Sequence, residues 1–589
     1  MVMERASRFG SREVFRYKMP DRNELGSWSW EYLYKKAQNI SRSLISLGFG
    51  YDDKLGIFSD NRPEWVMTDL GILGVRGVVV PFYATSSKQQ LKYIIDETKM
   101  RLLFVGNKEQ YEKALWLLDN TETIKKIVVF DSGIAPNSDS CIDLNTFLNL
   151  VTENQFSEEH NRLIEAAQTE DLATIIYTSG TTGEPKGVML EHATFFQCFR
   201  IHDQRLEVNE NDVSACFLPL SHVFERAWTY YMLYCGTING FVDNPREIIA
   251  YLPLIKPSFM CTVPRFFEKT FEGIEAEAAK WPSIKRKIFS WSVKVGHVYS
   301  GYKSKNERPP LGNRIKHFIA DKLVLRKLRN IFGGRIKFMP CAGAAISPKL
   351  LKFFHAADIF INYGYGATET TATVACFKSD TYDFETCGTV MPEVYVKISD
   401  EGEILIKGKT IFKGYYNKPE ETSKTLIDGW YHSGDKGYLK PNDGLVMVDR
   451  IKDLIKTSVG KYVSPQKVEL LLCQDSLIDQ VAVIGDDRKY ITALIVPSFE
   501  NLKREAIKMG IETHDHLQLV HRKEIIDLFK ERIERAQEEL TSYEKVVKFI
   551  LLPEPFSIQN GALTNTLKVK RKMLIERHKD EIDKMYLAG

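Results

Sequence analysis

The chain has 589 residues, 44% hydrophobic and 27% charged, an ordinary globular balance that excludes a disordered chain, a collagen and a small disulfide scaffold. At about 100–200 residues per domain, it is long enough for more than one core. Its 80 Lys and Arg nearly cancel 77 Asp and Glu, and a net charge of +3 gives no reason to expect a nucleic-acid partner.

Nine cysteines are scattered along the chain with no CxxC pair. An odd number of dispersed thiols fits a reduced, cytoplasmic chain, and thiolate metal ligation is not expected. The opening stretch MVMERASRFGSREVFRYK has no apolar run, so no secretory leader is expected. Nor does any apolar run reach the roughly 18 residues of a spanning helix.

In chain order, apolar segments at 54–59, 77–82, 102–105, 126–130 and 173–179 are rich in Val, Ile and Phe, most with helical-looking stretches between them. Buried parallel strands covered by helices read this way. Residues 271–335 differ, with 15 Lys and Arg against 5 Asp and Glu and with apolar residues interleaved, as in IKRKIFSWSVKVGHVYSGYK. Two readings stand for this stretch: helices with a solvated basic face, or attraction to an anionic membrane surface. From about Gly402 the texture becomes strand-rich. Near the end, Ile526, Phe529, Ile533, Ala536 and Leu540 recur at spacings of 3 and 4, which predicts an amphipathic helix within a small α+β unit.

The most specific segment is YTSGTTGEPKG (177–187), directly after an apolar strand candidate. Gly180, Gly183 and Gly187 allow tight turns that bring backbone N–H groups close to an anion. Thr178, Ser179, Thr181 and Thr182 add hydroxyl donors, and Lys186 adds a positive charge. The loop is not a Walker A motif, because Lys186 follows Pro185 and precedes Gly187. A plain Ser/Thr/Gly surface turn is the bland alternative; the position after a buried strand favours a phosphate cradle.

This string resembles the phosphate loop of the acyl-adenylate-forming (AMP-binding) superfamily, which includes acyl-CoA synthetases, adenylation domains and firefly luciferase. Further segments resemble that family in order. LPLSHVFER (218–226) is similar to the segment that sets a His or aromatic side chain, here His222, beside the substrate carboxylate. AGAA (342–345) is similar to the turn against adenine and the acyl group, with Gly343 and Ala344 at the nucleotide and Ala342 where most members have Gly. For YGATE (365–369), the resemblance implies Tyr365 stacked on adenine, Gly366 and Ala367 along the nucleotide and Thr368 at the α-phosphate. Glu369, with Thr178, would hold Mg²⁺, a cation that takes hard oxygen ligands.

DGWYHSGD (428–435) resembles the element whose Asp, here Asp435, accepts from the ribose hydroxyls; Ser433 replaces the commoner Thr. In DRIKDLIK (449–456), the resemblance implies Arg450 at the ribose or phosphates and Lys452 at the domain hinge. Lys456 and Gly460 would face the coenzyme A side. GALTNTLKVKRK (561–572) resembles the C-terminal loop of the catalytic lysine, here Lys568.

The implied fold is α/β. A large N-terminal domain (1–449) has parallel-sheet α/β subdomains, a small β-barrel-like subdomain and the basic helical insertion 271–335. A small mobile α+β C-terminal domain (450–589) carries the catalytic lysine. The implied activity is a long-chain fatty acid–CoA ligase. ATP activates the acid to acyl-AMP, with His222, Thr368, Glu369 and Lys568 as catalytic residues, and coenzyme A then takes the acyl group. Two alternatives stay open: a fatty acyl-AMP ligase loading a carrier protein, slightly disfavoured because no carrier domain follows Gly589, and a catalytically silent lipid- or nucleotide-binding relative. Expected partners are the long-chain acid, ATP, coenzyme A and Mg²⁺. Peripheral contact with the inner membrane face and a homodimer are further expectations.

Overall fold

The chain is described by a computed structural model over residues 1–589 apart from 20–23, 153, 179–183, 512–514, 565–567 and 588–589. The apolar runs of the first third form the middle of an eight-stranded sheet. Its order is Gly414–Tyr415, Lys186–Glu191, Leu172–Thr178, Val78–Phe82, Lys54–Phe58, Leu102–Val105, Lys126–Val129, Cys141–Asp143. From Leu172–Thr178 to Cys141–Asp143 every pairing is parallel. All residues of Val78–Phe82 and Leu102–Val105 are buried, which is why these strands read as continuous apolar runs rather than alternating ones. The predicted strands agree to within a residue at each end, and Ser179 lies outside the described residues.

A second, five-stranded sheet runs Phe259–Met260, Val213–Cys216, Ile238–Phe241, Glu13–Lys18, Leu25–Ser29, parallel except for the last pair. A third sheet, wholly antiparallel, holds Tyr395–Ile398, Glu403–Lys407, Trp430–Leu439, Leu426–Ile427 and Leu445–Arg450. It is the half-barrel expected as the small barrel-like subdomain. Beyond it, Ile478–Ile484, Ile491–Pro497 and Val546–Leu551 form a three-stranded sheet with its own core, including Val483, Ile495, Leu502 and Phe529. That is the α+β unit.

Two expectations need correction. The amphipathic helix is Lys523–Ala536, and it buries Ile525, Phe529 and Ile533, whereas Ile526 is exposed and Leu540 lies past the helix end. Adjacent isoleucines satisfy the period about equally well, so only packing chooses between them. The basic segment has no boundary at 271. Its first residues continue the helix Pro264–Ala279, which starts at a proline in the first turn, and Ser283–Lys303 and Leu311–Ala320 follow. Among the described residues, no helix is long and apolar enough to cross a membrane.

Candidate functional site

The strand Trp430–Leu439 alternates in burial, so Tyr431, Ser433, Asp435 and Gly437 share its inner face. Asp435 stands opposite Arg450 in the antiparallel pair with Leu445–Arg450. Its Oδ1 lies 3.3 Å from Arg450 Nε, while Oδ2 accepts from Tyr365 Oη at 2.5 Å. Oδ1 is buried without a hydrogen bond among the described residues. An orphaned buried carboxylate oxygen calls for a donor such as a hydroxyl group. Burial raises the Asp435 carboxyl above the usual range, with Arg450 the main opposing influence.

Tyr365 ends the strand Ile361–Tyr365, and the chain then turns sharply through Gly366 to the short helix Thr368–Thr370. A Cβ on Gly366 would lie 1.4 Å from the Ala372 carbonyl oxygen, so the turn closes only with glycine there. Thr371 and Ala372 hold φ of 48° and 79°, and Thr371 Oγ1 donates to the Thr410 carbonyl at 2.7 Å. Non-glycine residues keep such angles only where surrounding structure holds them. Thr368 is buried. Glu369 Oε1 accepts from Tyr415 Oη at 2.9 Å.

Thr178 ends the strand leading to the phosphate loop and pairs across it with Lys186. The tip of the loop, with Ser179, Gly180, Thr181, Thr182 and Gly183, lies outside the described residues. Lys186 pairs with Glu421 and sits over the Tyr415 ring, 5.2 Å from its centroid. Tyr415 thus links the loop lysine to Glu369. Gly343 adopts φ of 91°, and the Ala344 carbonyl accepts from Tyr363 Oη at 3.3 Å.

His222 caps the helix Val223–Cys235: its Nδ1 accepts from Phe224 N at 3.2 Å. Asn61 braces the preceding turn, giving Nδ2–H to the Leu218 carbonyl at 2.7 Å and accepting from Leu220 N at 3.0 Å. Glu225 and Arg226, in the first turn of this helix, are fully buried. Glu225 Oε2 accepts from Leu218 N at 3.1 Å, and burial raises its carboxyl to about 8. Arg226 donates twice to Asp69, at 2.9 and 2.6 Å, and once to Thr174 Oγ1 at 2.6 Å, on the strand that leads to the loop. Burial and then the Lys568 charge lower His222 to about 4.

That last effect places Lys568 at the same site. Its ammonium lies within electrostatic reach of Arg450, Asp435, Asp453, Glu369 and His222. Burial, then Arg450, lowers it below the usual lysine value, against the pull of the carboxylates. Lys568 nevertheless remains exposed to solvent, so the lowering reflects partial desolvation together with the Arg450 charge. Closure of its loop sets the position: Thr564 N donates to the Lys568 carbonyl at 2.8 Å and Lys568 N to Thr564 Oγ1 at 3.0 Å. Neighbouring Arg571 is turned away, 2.5 Å from Glu469.

Not every expected residue joins this cluster. Lys452 is exposed in the short turn Ile451–Asp453. Lys456 and Gly460 lie on the hairpin of Ile455–Lys456 and Tyr462–Val463, where Lys456 N donates to Asp486 and Lys456 Nζ sits 5.8 Å from the Tyr462 ring centroid. Sequence reasoning missed Tyr415, Glu421, Asn61 and Asp69. The two partners of Lys186 and Glu369 sit in GYYNKPEET (414–422), which carries no signal of its own beyond an aromatic pair and acidic residues.

Residues 2–416 match the AMP-binding enzyme family, and 452–588 match the AMP-binding enzyme C-terminal domain. The chain is 31% identical to the long-chain-fatty-acid–CoA ligase FadD15 of Mycobacterium tuberculosis, over 92% of this chain and 89% of that one. It is also 31% identical to the long-chain-fatty-acid–CoA ligase 5 of Rattus norvegicus, over 97% and 85%. The fold is similar to the adenylation domain of a carboxylate reductase from Mycobacterium chelonae, with TM-score 0.78 and 22% identity over 100% of this chain and 90% of that one. It is likewise similar to an anthranilate CoA ligase solved with anthranoyl-AMP, with TM-score 0.73 and 17% identity over 99% and 97%. With both of its parts matched in order, the chain belongs to the AMP-binding enzyme family.

Proposed function

We propose that the protein is a long-chain fatty acid–CoA ligase that forms acyl-AMP from ATP and transfers the acyl group to coenzyme A. The observation that carries this reading is the meeting of Lys568 with Asp435, Arg450, Glu369 and His222 at one site. The long-chain assignment is supported by the names of the relatives.

In the first half-reaction a carboxylate oxygen attacks the α-phosphorus, the bond to the β-phosphate oxygen breaks, and pyrophosphate leaves. We assign Lys568, Lys186 and Thr368 to stabilising the added negative charge. Lys186 must first exchange Glu421 for phosphate. The orphaned Oδ1 of Asp435 suits a ribose hydroxyl, and the Tyr365 ring suits adenine. Neutral His222, with Nδ1 taken by the helix, keeps its proton on Nε2 for a substrate carboxylate. A cavity of about 40 Å³ lined by Phe224, Trp228, Tyr231, Cys198 and Ala342, with the polar His202, Asn362 and Thr373, adjoins Tyr365, and it must widen to take a long acyl chain. Glu369 and Thr178 offer the hard oxygens that Mg²⁺ takes, and bound there the ion would neutralise phosphate charge.

In the second half-reaction the coenzyme A thiol, losing its proton, attacks the acyl carbonyl, the bond to the phosphate oxygen breaks, and AMP leaves. We place the domain division at 449/450. The 450–589 unit turns about Lys452, withdraws Lys568 and presents Lys456 and Gly460 to the thiol path. Fatty-acid-dependent pyrophosphate exchange, followed by thioester detection on adding coenzyme A, tests the reading across acid chain lengths. Absence of exchange with every fatty acid would overturn it. Exchange without thioester would move the acceptor to a carrier protein.

A further inference from the structure

The cavity beside Tyr365 takes Phe224, Trp228 and Tyr231 from the helix Val223–Cys235, and His202, Asn362 and Thr373 from other parts of the chain. The three aromatic residues follow helical spacing. They form one stripe about 10 Å long, at 1.5 Å per residue, from Phe224 beside His222 to Tyr231. His202 lies at the far end, its ring centroid 5.4 Å from that of Tyr231.

The strong hydrogen-bond donors of this wall point to other partners. Trp228 Nε1 donates to Ser214 Oγ at 2.9 Å, and Tyr231 Oη to Asp203 Oδ1 at 3.0 Å. His202 Nδ1 lies 2.6 Å from the Cys198 carbonyl oxygen, which can only accept, so Nδ1 carries the ring proton. Burial lowers His202 below its usual value, so the ring is neutral and Nε2 is an acceptor. Thr373 Oγ1, 3.2 Å from Nε2, therefore donates to it. Asn362 is buried in the strand Ile361–Tyr365, and its Oδ1 has no hydrogen-bond partner among the described residues. Its amide reaches the Cys376 thiol, a weak hydrogen-bonding group. What remains at this end is acceptor capacity: the Asn362 oxygen and a lone pair of Thr373 Oγ1.

We propose that Asn362 and Thr373 form a subsite for a hydroxyl group on the acyl chain, so that the preferred substrate is a long-chain acid hydroxylated near its middle. The inference rests on the ligase reading and narrows its substrate. A plain hydrocarbon leaves the buried acceptors without a donor, whereas a hydroxyl supplies one and stays neutral. The aromatic stripe carries the methylenes between carboxylate and hydroxyl, and its length sets the hydroxyl well away from the carboxyl end. The cavity must widen for any long chain, but Asn362 is held in a sheet strand and His202 by the Cys198 carbonyl, so both keep their positions. A bound water would satisfy the same acceptors, and substrate preference separates the two.

The test compares stearate with hydroxystearates bearing one hydroxyl at successive mid-chain carbons, by fatty-acid-dependent pyrophosphate exchange on the full chain. At least one mid-chain isomer is expected to exceed stearate about tenfold in kcat/KM, the effect of satisfying one buried acceptor. Asn362→Leu keeps the shape and removes the amide, and should abolish that preference by costing the hydroxy acid far more than stearate. Thr373→Val should weaken the preference in the same direction. Where a variant melts well below the wild type, the wild-type ratio alone decides. Stearate equal to or better than every isomer is the result of a water-filled corner; it overturns the proposal and leaves the ligase reading standing. A preference unchanged in both folded variants does the same. No exchange with any fatty acid overturns the ligase reading and this proposal with it.

Discussion

Arg265 Nη2 lies 2.5 Å from Asp479 Oδ1, joining the helix Pro264–Ala279 to the strand Ile478–Ile484 of the C-terminal unit. Lys269 Nζ reaches the same oxygen at 3.1 Å. This contact coexists with the arrangement that brings Lys568 within electrostatic reach of Asp435 and Glu369, and the proposed swing would break it. Asp479→Asn should therefore slow acyl-AMP formation and leave thioester formation from supplied acyl-AMP unchanged. Both partners are partly exposed, so water limits the effect to below about 1 kcal/mol, at most about fivefold. Exchanging the charges in Arg265→Asp with Asp479→Arg should recover much of the loss. Equal slowing of both half-reactions would count against the contact as a clasp for one state.

Lys568 has a sharper expected signature. Lys568→Ala should reduce acyl-AMP formation by about 10²–10³-fold, the usual effect of removing one preorganised donor to a developing anion. Thioester formation from preformed acyl-AMP should proceed. Rapid-quench measurement of each half-reaction separates the outcomes, and normal acyl-AMP formation by the variant would remove Lys568 from the mechanism.

Tyr365 donates to the carboxylate proposed to hold the ribose. Tyr365→Phe keeps the ring and deletes that donor, leaving Asp435 to Arg450 alone. A hydrogen bond to a charged group contributes about 1.5–3 kcal/mol, so the KM for ATP should rise by about tenfold or more, with little change in the KM for the fatty acid. An unchanged KM for ATP would mean that the Tyr365–Asp435 bond does not prepare the ribose site.

Glu225 predicts a pH dependence of stability. Its carboxyl is raised from the ordinary 4.5 to about 8 by burial. Between these values the folded chain holds a proton that the unfolded chain has lost, so stability falls as pH rises through the window. Glu225→Gln keeps the shape, can accept from Leu218 N and does not titrate. Thermal melting should show a stability difference in favour of the variant that grows from pH 5 to pH 8 and then levels. A difference independent of pH would show that Glu225 titrates normally.

Much of the site was legible because its parts are short local strings. The string YTSGTTGEPKG continues from the buried strand Leu172–Thr178, and Asp435 stands on the inner face of the strand Trp430–Leu439. The supports were not legible. Glu421 lies 235 positions from Lys186 and Asp69 lies 157 from Arg226, and no local pattern pairs such residues. The same holds for the Tyr415 link to Glu369, which depends on Gly414–Tyr415 joining the sheet edge beside Lys186–Glu191.

Periodicity and composition determined where strands and helices form, since burial on both faces demands continuous apolar runs and glycine marks turns too tight for a side chain, such as Gly366. Which isoleucine of the Lys523–Ala536 helix faces inward, and which cation of 568–572 is held by Glu469, were decided in three dimensions. There, desolvation and ion pairing select among chemically similar candidates: Arg571 is drawn to Glu469, and Lys568 is left within electrostatic reach of Asp435 and Glu369.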